Sequence, residues 1–67
     1  MEKHEFERLR AIFLKAFASV PDPLRDEIIA VIDGKPFSWS AAYLEVKKGT
    51  AKAHAILEQL KKNNVIE

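Results

Sequence analysis

The chain has 67 residues, 48% of them hydrophobic and 31% charged, with no cysteine and two histidines. That length holds one domain, residues 1–67, with a core only marginally sufficient for stability. The missing cysteines exclude disulfides and thiolate metal sites, and His4 and His54 alone do not make a ligand set, so neither metal nor cofactor is expected. The formal net charge is +1, but residues 1–34 carry five Lys/Arg against seven Asp/Glu and residues 35–67 six Lys against three Glu. The second half is therefore the candidate anion-facing half.

The charged start leads into an amphipathic stretch and no long apolar run follows, so neither a signal peptide nor a membrane span is expected. The expected location is cytoplasmic. A small chain with no disulfide or metal gains most from association, which predicts a homodimer.

From Glu2 to Val20, Phe6, Leu9, Phe13, Ala16, Phe17 and Val20 recur at spacings of three and four. This predicts an amphipathic N-terminal helix over residues 2–20. Its phenylalanine-rich stripe either packs on the rest of the domain or supplies the dimer interface, with Phe6, Leu9, Phe13 and Phe17 as the interface candidates.

Pro21-Asp22-Pro23 breaks that helix. Asp22 is a good N-cap, Pro23 suits a first helical position, and Asp26 and Glu27 favour a helix N-terminus, so a second helix is predicted from Asp22 to Asp33, ended by Gly34. The rival is a hairpin: Ile28-Ile29-Ala30-Val31-Ile32 is rich in β-branched residues, Asp33-Gly34 suits its turn, and Pro36 would confine the returning strand to an edge.

Lys35-Pro36-Phe37 reads as extended. Ser38 or Ser40 caps a third helix through Val46, Lys47-Lys48-Gly49 forms a tight turn, and Thr50 caps a fourth helix. That helix places Ala53, Ile56, Leu57 and Leu60 on one face. Asn63-Asn64 supplies a left-handed stop, and Val65-Ile66 resembles a short strand. The expected fold is mainly α: a bundle of about four helices with a minimal two-strand pairing as an option.

In this order and spacing, residues 22–67 resemble the helix-turn-helix part of winged-helix transcription regulators. Leu24 to Ile29 is similar to that family's opening helix, and Pro36-Phe37-Ser38 to the strand and cap before its second helix. Thr50 to Leu60, followed by Asn64-Val65-Ile66-Glu67, is similar to its recognition helix and next strand. The chain departs from the pattern in three places. Lys47 and Lys48 occupy turn positions that usually hold a small and an apolar residue. Trp39 and Tyr43 make the preceding helix unusually aromatic, with core packing against the first helix as their expected role. The sequence also stops at Glu67, where a wing would begin.

The resemblance implies double-stranded DNA as partner, with the fourth helix in the major groove. Lys48, Thr50, Lys52 and His54 would lie near bases, and Lys47, Lys61 and Lys62 near phosphates. Ala51 and Ala55 offer only methyl groups, and no Arg or Asn begins the helix, so sharp base readout is not expected. No nucleophile–base pair or glycine-rich phosphate loop occurs, so no enzymatic activity is expected. The leading expectation is a dimeric DNA-binding regulator or architectural factor. The alternative is a protein-interaction or assembly domain on the same scaffold.

Overall fold

The computed structural model describes residues 2–66. In chain order it contains α1 (Lys3–Ala18), a 3-10 turn (Asp22–Leu24), β1 (Ile28–Ile32), β2 (Lys35–Ser38), α2 (Trp39–Lys48) and α3 (Ala51–Lys62). Among the described residues there are thus three α-helices, and not four, beside a two-stranded antiparallel sheet.

The difference lies in residues 22–33. The helix start read at Asp22-Pro23 survives only as a three-residue 3-10 turn, in which Pro21 and not Asp22 holds the cap position and no side chain caps it. The β-branched run then takes the hairpin that was the rival reading. Asp33 (φ 52°) and Gly34 (φ 78°) both adopt the left-handed conformation of a type I′ turn, whose twist suits paired strands. The strands pair Ile32 with Lys35, Val31 with Pro36 and Ala30 with Phe37, and a bulge between Ile28 and Ala30 shifts the register. Across a two-residue turn the flanking pair is hydrogen-bonded and the next is not, so Val31 and Pro36 point their backbone groups outward. Proline there costs the ladder no donor.

The outward amide of Val31 is closed by a side chain. Val31 N–H donates to Gln59 Oε1 (2.8 Å), and Gln59 Nε2 donates to the Val31 carbonyl (2.9 Å). The Gln59 carboxamide thus stands in for a neighbouring strand and ties the hairpin to α3.

The helix ends are locally determined. Ser38 Oγ accepts from Ala41 N–H at the start of α2 (3.1 Å), while Trp39 and Ser40 donate to the Glu27 and Arg25 carbonyls (3.2 and 3.1 Å). Three otherwise orphaned amides are satisfied in this way. At the other end Thr50 N–H donates to the Glu45 carbonyl (3.3 Å) and Gly49 N–H to that of Val46 (3.2 Å), with Gly49 at φ 71°. This is the Schellman pattern. It recurs after α3, where Val65 N–H reaches the Leu60 carbonyl, Asn64 N–H that of Lys61, and Asn64 takes φ 58°. Val65-Ile66 forms no strand; Ile66 turns into the core instead.

The core gathers Phe6, Leu9 and Phe13 of α1, Ala30 and Phe37 of the hairpin, Ala42 and Val46 of α2, and Ala53, Ile56, Leu57 and Leu60 of α3. Trp39 and Tyr43 do face α1: Phe13 stacks on Trp39 with centroids 5.7 Å apart, and Phe17 on Tyr43 at 4.3 Å. No helix among the described residues is long and apolar enough to cross a membrane.

Candidate nucleic-acid interface

α2, the Gly49-Thr50 connection and α3 are two helices joined by a short turn, coarsely consistent with a helix-turn-helix arrangement, and the predicted site residues are distributed around them unevenly. Lys47 and Lys48 end α2 and are exposed. The Lys47 ammonium lies 5.8 Å from the Tyr43 ring centroid, and its carbonyl accepts from Arg10 Nη2 (2.8 Å). That guanidinium complements the negative end of the α2 dipole. Thr50 is committed to the turn: its hydroxyl donates to Glu45 Oε1 and accepts from Ala53 N–H (3.2 Å).

Lys52, in the first turn of α3, places its ammonium 5.8 Å from the Phe37 ring centroid. Lys35 of β2 approaches the same ring, at 5.6 Å. One buried ring therefore gathers two cations from different elements, each within the range of a favourable cation–π contact. Both lysines are exposed, and two cations gathered at one ring add to the positive potential that an anion would meet there. Lys35 was not among the sequence candidates. Only the hairpin brings it to α3, and the helix reading of residues 22–33 gave no reason to place it there.

The remaining candidates are drawn elsewhere. His54 stacks on Phe6 with centroids 4.0 Å apart and an interplanar angle of 19°. Lys61 donates to Glu5 Oε1 at 2.8 Å, bridging α3 to α1. Lys62 lies at the far end of α3, beside an open groove of about 610 Å³ that also runs along Val31, Asp33, Ala55 and Glu58. The outward stripe of α3, opposite its buried face, reads Ala51, Ala55, Glu58 and Lys62 at helical spacing. Gln59 carries the amide geometry that could read adenine but is occupied by Val31.

The interface candidates on α1 are largely inside the chain. Phe6, Leu9 and Phe13 are buried in its own core, and Phe17 is half-buried between Tyr43 and the Arg25 guanidinium, which lies 4.4 Å from its ring centroid. A second chain could reach the first three only by opening the fold.

Glu5 accepts from both Lys61 and Arg8 (2.8 Å each). The Lys61 hydrogen bond, with help from Arg8, holds its carboxyl below the ordinary carboxylate range. A depressed folded-state pKa contributes stability above the unfolded value that is lost as pH falls through the folded one. We expect the Glu5 carboxyl carbon, followed by NMR, to titrate at lower pH than a free glutamate and to move upward in Lys61→Met. An unchanged midpoint in that variant would remove the bridge from the account.

Among the described residues no group of three or more His, Cys, Asp or Glu is placed to hold a metal ion. Comparison with protein-family models, curated proteins and solved structures finds no match to this chain.

Proposed function

We propose that the chain is a small DNA-binding protein of the helix-turn-helix type that holds duplex DNA mainly through its phosphates, as a cytoplasmic regulator or architectural factor without catalytic activity. The observation that carries this reading is the convergence of Lys35 and Lys52 on Phe37 at the start of α3. Lys48, exposed at the turn, adds a third cation nearby in sequence. Phosphate contacts position a protein without reporting sequence, and the outward stripe of α3 supports little more. Ala51 and Ala55 present methyl groups, and Glu58 opposes a phosphate. Weak sequence preference is the expected consequence.

The test is fluorescence anisotropy of labelled duplexes of mixed sequence. With about three phosphates neutralised, the slope of log affinity against log salt is about −2.7, so raising salt from about 50 to 200 mM weakens binding about 40-fold. The double reversal Lys35→Glu/Lys52→Glu should abolish binding at the lower salt while the circular dichroism spectrum stays unchanged. Absence of duplex binding at about 50 mM salt, or binding indifferent to the reversal, refutes the reading.

Glu58 and the flanking groove favour a second reading, an assembly domain that binds protein and not DNA. It predicts partner association that survives the same double reversal.

A further inference from the structure

α2 presents an outward face that the lysine reading uses only at its Lys48 end. Leu44 is 54% exposed, Ile28 55% and Leu24 43%. Backbone contacts bring the segments bearing them together. The Arg25 carbonyl accepts from Ser40 N–H, the Glu27 carbonyl accepts from Trp39 N–H, and Ile28 pairs with Ser38. The stretch from Leu24 to Ile28 therefore lies across the N-terminal end of α2, where its first amides point. Leu44 follows Ser40 by four residues, on the same side of that helix.

The charges around this strip are polarised. Asp26 and Glu27 are exposed at its α2 N-terminal end, and Lys48 is exposed one turn beyond Leu44 at the other. The neighbouring groups do not cancel this arrangement. Arg25 is engaged by Asp22 (3.1 Å), the Val20 carbonyl (3.2 Å) and the Phe17 ring. Lys47 leans on Tyr43, and Glu45 accepts from Thr50. The strip thus has an apolar middle, acids at one end and a base at the other. A two-fold rotation about its centre brings acid against base and Leu44 against Leu44, as an isologous interface requires.

We propose that this face binds a second copy of the chain, with the two α2 helices antiparallel, Leu44 at the centre and Lys48 of each copy opposite Glu27 of the other. The occupant is a second copy because the surface is complementary to itself in charge. A partner of one net sign would leave one end of the strip facing a like charge. Exposed ion pairs contribute little individually, so the apolar centre carries the affinity and the charges set the orientation. The interface shares only Lys48 with the proposed DNA contact, requires neither Lys35 nor Lys52, and is measured without nucleic acid, so the two readings fail separately.

Sedimentation equilibrium of the full chain from about 10 μM to 1 mM tests the proposal, a range suited to a small interface. The average mass should rise from monomer toward dimer. Leu44→Asp should remain monomeric throughout with an unchanged melting temperature, because Leu44 is exposed in the protomer. Glu27→Lys and Lys48→Glu should each weaken association about tenfold, since a two-fold axis repeats the contact. The double variant Glu27→Lys/Lys48→Glu should recover most of that loss. A chain that stays monomeric at the highest concentration, a dimer that survives Leu44→Asp, or a double variant as weak as the singles overturns the proposal.

Discussion

Phe13→Ala is expected to abolish cooperative folding near physiological temperature. Phe13 is fully buried and lies where α1 meets α2, stacked on Trp39 at 5.7 Å and near Phe17 at 6.3 Å. Truncating a buried phenylalanine costs about 3–5 kcal/mol, partly for lost transfer energy and partly for the cavity left behind. A domain of this length has a total stability of about 3–10 kcal/mol, so the loss is comparable with the whole. Thermal melts followed by circular dichroism should show the midpoint falling by about 15 °C or more, or no transition at all. The same truncation at half-buried Phe17 should cost clearly less. A Phe13→Ala midpoint within about 5 °C of the parent would mean that the α1–α2 packing is not what holds the bundle.

Gln59→Leu is expected to release the hairpin while sparing the helices. The side chain keeps nearly its volume but loses both hydrogen bonds to Val31. Each such bond contributes about 0.5–1.5 kcal/mol net, and water can reach the freed groups, so a loss of about 1–2 kcal/mol is the expected result. The local readout is sharper. Val31 points its N–H away from β2, so amide exchange there should accelerate strongly while that of Ala30, paired with Phe37, changes less. Gln59→Glu should not rescue the effect: a carboxylate still accepts from Val31 N–H but faces the Val31 carbonyl without a donor. Val31 exchange that is unchanged in Gln59→Leu would show that the carboxamide does not close this edge.

Much of the helical framework was legible in the sequence because its signals are local. Ser38 and Thr50 each cap an amide three residues on. Asn64 supplies the left-handed position that stops α3; Gly49 does so for α2, which runs through Lys47 and Lys48 and does not end at Val46. The stripe on α1 and the buried face of α3 follow from spacings of three and four. Such features rest on interactions within one turn, which residue order alone dictates.

Residues 22–33 encoded two answers, and local rules favoured the wrong one. Asp22-Pro23 and the acids after it favour a helix, while the β-branched run and Asp33-Gly34 favour a hairpin. Distant partners decide between them. The Arg25 and Glu27 carbonyls are needed by the first turn of α2, and the Val31 peptide is matched by Gln59, 28 residues away. A continuous helix would have spent those carbonyls internally. The surroundings of the candidate residues depend on the same long-range pairing. Lys61 goes to Glu5, His54 to Phe6 and Lys35 to the ring beside Lys52, none of which is visible as a motif.

What the sequence determined by itself is therefore which three segments form α1, α2 and α3 and where their apolar stripes fall, though not their end residues, because capping and periodicity act over a few residues. Tertiary structure decided the hairpin, the fate of the phenylalanine stripe and the company each lysine keeps. Those outcomes depend on backbone groups and rings that meet only after the chain has folded back on itself.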